Sequence, residues 1–147
     1  MYKHILIPTD GSALAAKAID AGLEYARETG AKVTLFTAVP EYRPPNEAEV
    51  MARRVVSLAD HERASERLAS GILAERAQQA RAANLAVDTD YAQSNQPWQA
   101  IIDAAQRNRC DAIFMASHGR TGLSAVLHGS QTREVLNHSR IPTMVYR

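Results

Sequence analysis

Short apolar runs alternate with amphipathic stretches along the whole chain, and no other feature constrains the fold so tightly. Ile5-Leu6-Ile7 is an apolar run ended by Pro8. It reads as a strand buried on both faces, because parallel strands covered by helices lose polar alternation. Asp10-Gly11-Ser12 is a turn with helix-capping residues. Ala13 to Glu28 then carries apolar positions at Leu14, Ala18, Ala21, Leu23 and Tyr25. This predicts a helix that stops at Gly30. Val33 to Val39 is a second strand closed by Pro40, and Pro44-Pro45-Asn46 is a loop. Glu47 to Ala83 reads as helix throughout, with Met51, Val55 and Leu58 on one face and Leu68 and Ile72 on a similar stripe. Within it, Asp60 to Arg67 has almost no apolar content. That segment is either a solvated overhang or a break between two helices.

The second half repeats the pattern. Leu85, Val87 and Thr89 alternate with Ala86, Asp88 and Asp90, so Leu85 to Tyr91 reads as an edge strand with one wet face. Pro97 suits the first position of a helix whose buried face is Trp98, Ile101, Ile102 and Ala105. Ala112 to Ala116 is the fourth strand, Ser130 to Asn137 the last helix and Thr143 to Tyr146 the last strand. The order β-α-β-α-β-α-β-α-β implies a parallel sheet with right-handed crossovers and helices on both faces. The expected fold is a three-layer α/β/α sandwich around a five-stranded parallel sheet. A chain of 147 residues fits one domain, residues 1–147.

In open parallel sheets, ligands bind beyond the carboxyl ends of the strands, where the strand order reverses. That rule nominates Pro8-Thr9-Asp10 after the first strand and the segment after the fourth. The latter runs from Met115 to Thr132 and contains Gly119 and Gly129, with small hydroxylated residues around each. A strand, a glycine-punctuated loop and a helix start are suited to phosphate. Backbone can approach a ligand closely where no Cβ intrudes, and a helix start offers unpaired N–H groups. A nucleotide is therefore the first ligand to consider.

Composition narrows the partners. A formal net charge of +1 argues against charge-driven binding to nucleic acid or a membrane. Cys110 is the sole cysteine, so no intrachain disulfide forms, which suits a cytoplasmic location. Its place at the head of a strand predicts a small core residue. Met1 to Pro8 is too short in apolar length for a signal peptide, and no run approaches the ~18 apolar residues of a membrane span. His4, His61, His128 and His138 read as surface residues, and no His-x3-His or Cys-x2-Cys spacing suggests a metal site.

The opening Ile5-Leu-Ile-Pro-Thr-Asp-Gly-Ser12, the element order and the closing Ile141-Pro-Thr-Met-Val-Tyr146 together resemble the universal stress protein family over the whole chain. The nucleotide-binding branch of that family carries Gly-x2-Gly-x9-Gly-Ser/Thr. Ala116-Ser-His-Gly119, the nine residues Arg120 to His128, and Gly129-Ser130 are similar to it, with Ala116 in place of the first glycine. If that glycine only permits close approach, the added methyl is tolerated; if it requires a positive φ, binding is weakened. The resemblance implies a Rossmann-like fold of the adenine-nucleotide-hydrolase-like type, with strand order 3-2-1-4-5. It also implies an adenine nucleotide, ATP or AMP, as the ligand of a stress-response or signalling protein. Any Mg2+ would ride on the phosphates. A homodimer would form through the strand Ile141 to Arg147, and the downstream protein partner is not named by the sequence.

The resemblance also distributes roles. Asp10 contacts the base or ribose; its residue type equally suits a turn or the N-cap of the first helix. Pro8 and Thr9 line the base pocket, Ala38 packs on adenine or is plain core, and Met115 and Ala116 form the floor. Gly119, Gly129, Ser130, Gln131 and Thr132 form the phosphate group, with backbone N–H donors from Gly129 to Thr132. Alternatively the segment is a helix-capping loop, with Ser130 as N-cap and Gly129 as its turn. Arg120 suits a phosphate, and His118 either contacts the ligand or bonds within the loop. The Gly-Lys-Ser/Thr of a P-loop is missing, so no lysine is fixed on terminal phosphates. That favours binding over catalysis. A nucleotide-free homodimeric module and a weak ATPase remain the alternatives.

Overall fold

The structure is a computed structural model and describes residues 1–117 and 123–147, with the backbone alone for 123–130. Its elements are β1 (His4–Pro8), α1 (Ala13–Thr29), β2 (Lys32–Val39), α2 (Glu47–Met51), α3 (Leu58–Ala82), β3 (Val87–Gln93), α4 (Pro97–Arg107), β4 (Ala112–Ala116), α5 (Leu123–His138) and β5 (Thr143–Tyr146). All four strand pairings are parallel, and the sheet order is β3-β2-β1-β4-β5. The expected fold and strand order are both present, and β3 and β5 are the edges.

Side chains alternate across the sheet, so each central strand feeds two cores. Ile5, Ile7, Val33 and Leu35 pack with Ile19, Leu73 and Ala77 on the α1 and α3 side. Leu6, Phe36, Ile113 and Met115 pack with Ile101, Ile102, Ala105 and Val135 on the α4 and α5 side. Both faces are covered, which explains the unbroken apolar runs. Gly22 lets α1 lie close on the sheet: a Cβ there would stand 2.5 Å from Ile7 Cδ1. Cys110 is buried, as expected, and burial pushes its thiol pKa up to about 11. The thiolate is the reactive form, so burial holds Cys110 as the less reactive thiol within the core. His4 departs from the surface expectation. It is half-buried, its Nε2 lies 2.8 Å from Thr34 Oγ1, and burial and the nearby Lys32 lower its pKa.

Three element boundaries differ from those the sequence pattern suggests, and two of them share one cause. The segment Glu47 to Ala83 is two helices, α2 and α3, and the break spans residues 52–57, not Asp60 to Arg67. Arg53 adopts a left-handed φ of 57°, and the Arg54 N–H reaches back to the Glu49 carbonyl at 2.8 Å. Ser57 then caps α3 by accepting from Asp60 N–H. Met51, Val55 and Leu58 are accordingly exposed and do not form a buried stripe. At the end of α3, Asn84 is left-handed at 63° and the Leu85 N–H bonds the Ala80 carbonyl at 3.1 Å. Leu85 therefore belongs to the helix terminus, and β3 begins at Val87. The third difference is at α5, which begins at Leu123 and not at Ser130. Leu123, Ala125 and Leu127 are good helix formers, and one interior glycine costs only about 1 kcal/mol. Gly129 and Ser130 thus lie inside the helix, so Ser130 is not its N-cap.

Candidate functional site

The strand order reverses between β1 and β4, and a cavity of about 320 Å³ opens there at the carboxyl ends of the strands. It is lined by Pro8, Thr9, Asp10, Ser12, Ala15, Phe36, Ala38, Pro97, Ile101, Met115, Ala116, Gln131 and Thr132. This volume is at the lower end of the range for small-molecule sites.

The turn after β1 is built by its own side chains. Thr9 N–H donates to the Phe36 carbonyl at 2.8 Å and extends the pairing of β1 with β2 by one residue. Thr9 Oγ1 accepts from Gly11 N–H at 3.1 Å, and Asp10 Oδ1 accepts from Ser12 N–H at 2.8 Å. Gly11 takes a φ of 81°, which a side chain would resist. Ser12 is the N-cap of α1, accepting from Ala15 N–H at 3.2 Å. Asp10 therefore serves the turn and is not the cap. This network buries Thr9 and leaves Asp10 exposed at the cavity.

The walls come from both halves of the chain. Phe36 and Ala38 lie two residues apart on β2 and so share a face. Met115 and Ala116 end β4 and form one boundary. Pro97 and Ile101 come from α4, and Gln131 and Thr132 from α5. Thr132 is buried, and its hydroxyl donates to the Ala116 carbonyl at 3.1 Å. Trp98 N–H donates to Gln131 Oε1 at 2.9 Å.

Of the residues nominated from sequence, Pro8, Thr9, Asp10, Ala38, Met115, Ala116, Gln131 and Thr132 line this one cavity. His118, Gly119 and Arg120 lie outside the described residues. Gly129 and Ser130 are within α5, where a backbone N–H bonds the carbonyl four residues back. Sequence reasoning missed Ser12, Ala15, Phe36, Pro97 and Ile101. Phe36 was within reach through its two-residue spacing from Ala38. In the sequence Pro97 and Ile101 indicate only a helix start and a buried face, and their place at the cavity depends on how α4 seats.

An open parallel α/β sheet with a cavity at its switch point defines a protein of the Rossmann-like class. The chain belongs to the universal stress protein family, whose profile matches residues 1–147. It is 27% identical over 158 residues to universal stress protein MJ0531 of Methanocaldococcus jannaschii, covering 100% of this chain and 83% of that one. Among solved structures it is similar to universal stress protein UspA from Lactobacillus plantarum, with a TM-score of 0.75 and 23% identity over 99% of this chain and 98% of the other. It is also similar to the universal stress protein from Archaeoglobus fulgidus in complex with dAMP, with a TM-score of 0.65 and 18% identity over 99% of this chain and 98% of the other.

Proposed function

We propose that this protein binds an adenine nucleotide, ATP or AMP, as a stress-response or signalling protein, and that the cavity at the switch point takes the nucleoside. The observation that carries this reading is the lining itself. Ala38, Pro97, Ile101 and Met115 line the cavity with apolar groups suited to a planar base, while Thr9 and Asp10 stand beside them as polar groups for base or ribose. The dAMP complex of the Archaeoglobus fulgidus relative supports an adenine nucleotide as the ligand class. The phosphates would be directed toward the glycine segment that follows β4, where His118, Gly119 and Arg120 stand in the sequence. With Gly129 and Ser130 helical, their N–H groups reach phosphate only if the first turns of α5 rearrange. Mg2+ would be held through the phosphates.

Thermal unfolding tests this directly. A ligand at 100 times its Kd stabilises a fold by about 2.7 kcal/mol, which raises Tm by about 5–11 °C in a domain of this size. ATP with Mg2+, or AMP, at millimolar concentration should produce such a shift. An unchanged Tm with both would remove the nucleotide reading and leave a nucleotide-free module of the same fold. A homodimer through Ile141 to Arg147 belongs to the same proposal. β5 is an edge strand, and symmetric pairing with its copy would cover the exposed edge. Light scattering should give twice the chain mass at micromolar concentration, and a monomer would refute the pairing.

A further inference from the structure

An α-helix leaves its first N–H groups without intrahelical acceptors, and they must be satisfied elsewhere. In α4 the accounting is complete. Pro97 has no N–H to satisfy. The N–H groups of Gln99 and Ala100 both go to the Gln96 carbonyl, at 3.1 and 3.2 Å. Gln96 stands at the N-cap position, but its side chain makes no capping hydrogen bond. The Trp98 N–H is left, and its acceptor comes from another helix: Gln131 Oε1 on α5, at 2.9 Å. The adjacent Thr132 hydroxyl fastens α5 to the end of β4 through the Ala116 carbonyl. Pro97 and Ile101 on one side and Gln131 and Thr132 on the other line the same cavity. These two hydrogen bonds therefore join the α4 wall, the α5 wall and the β4 boundary.

We infer that Gln131 is a positioning residue for the nucleotide site: its side-chain carbonyl caps α4 and fixes the α4 wall against the α5 wall. This rests on the nucleotide reading above. The sequence pattern offers only the Gln131 backbone N–H to phosphate, and capping α4 gives its side chain a separate task. The Trp98 N–H requires an acceptor, so the amide oxygen is the end that faces α4. Without it the first turn of α4 frays, and Pro97 loses its fixed place beside the ligand.

Adenosine separates this task from phosphate binding, because it carries base and ribose but no phosphate. Gln131→Met keeps the chain length and removes the acceptor. Gln131→Glu keeps an acceptor, and a negative group is favoured at a helix N-terminus. By calorimetric titration, Gln131→Met should weaken adenosine binding roughly threefold to tenfold, in line with loss of a helix cap. Gln131→Glu should bind adenosine within about twofold of wild type. Wild-type affinity in Gln131→Met would overturn the inference, as would Gln131→Glu binding as weakly as Gln131→Met, since the latter means that the amide N–H groups touch the ligand. Amide exchange in the unaltered protein gives a second test that needs no variant to fold. The Trp98 N–H should be protected, and exchange at the rate of an open chain would also overturn the inference. If the wild type bound neither adenosine nor ATP, the nucleotide reading itself would fail and this role with it. Tight wild-type binding with no effect of Gln131→Met would defeat the role alone.

Discussion

Replacing Phe36 by alanine should destabilise the fold by about 3–5 kcal/mol, the range for a buried aromatic truncated in a core. Phe36 is fully buried on β2, the strand between β1 and β3, and packs within the cluster containing Leu6, Ile113 and Met115. Phe36 is also among the residues that line the cavity. That place sets where in the range the value should fall. A void sealed inside a core stays empty, and its lining loses dispersion contacts outright. A void continuous with an open cavity admits water, which recovers part of the loss. The lower half of the range, near ~3 kcal/mol, is therefore expected, with Tm lower by at least about 6 °C. Urea denaturation would show this as a lower midpoint at unchanged slope. A loss below about 1 kcal/mol would mean that Phe36 is not enclosed as described. With a typical domain stability of about 5–15 kcal/mol, the variant should still fold at room temperature.

The same position shows how much the sequence could reveal. Strands β1, β2 and β4 were legible because a parallel strand covered on both faces must be apolar at successive positions. Helix α1 was legible because its end carries the residue type that a left-handed terminus prefers, Gly30 at a φ of 72°. The ends of α2, α3 and α4 use the same backbone turn with Arg53, Asn84 and Arg109. In each, an N–H five residues on returns to a helix carbonyl: Arg54 to Glu49, Leu85 to Ala80 and Cys110 to Ala105. Arginine carries no turn signal, so the break between α2 and α3 was invisible. The polar stretch Asp60 to Arg67 suits either a break or a solvated overhang, and it is the latter, a solvated face within α3. For the site, the switch-point rule named the turn after β1 and the end of β4, because both follow from strand order alone. The contribution of α4 was not legible, since it depends on a hydrogen bond between residues 33 apart. The start of α5 was misplaced for a different reason. A glycine followed by serine is a good helix start, but it is also a tolerable helix interior when good helix formers precede it.

Substituting Ala38 by phenylalanine should abolish nucleotide-induced stabilisation while leaving the protein folded. Ala38 is half-buried near the end of β2 and faces the cavity beside Phe36. An added ring at this position enters a space of about 320 Å³ that is already at the lower end for a small-molecule site. It would occupy the apolar region proposed for the base, so ligand and side chain exclude one another. The unliganded fold has less reason to suffer. Overpacking is costly where a dense core must be displaced, by about 1–3 kcal/mol, whereas here the ring projects into open volume. The unliganded Tm should therefore stay within a few degrees of wild type, and the rise of about 5–11 °C with ATP or AMP should vanish. A full nucleotide shift in Ala38→Phe would place the ligand elsewhere on the molecule. Ala38→Ser provides the complementary case, because it adds one oxygen and little volume. It should retain most of the shift, and losing it would mean that the wall needs an apolar surface more than it needs space.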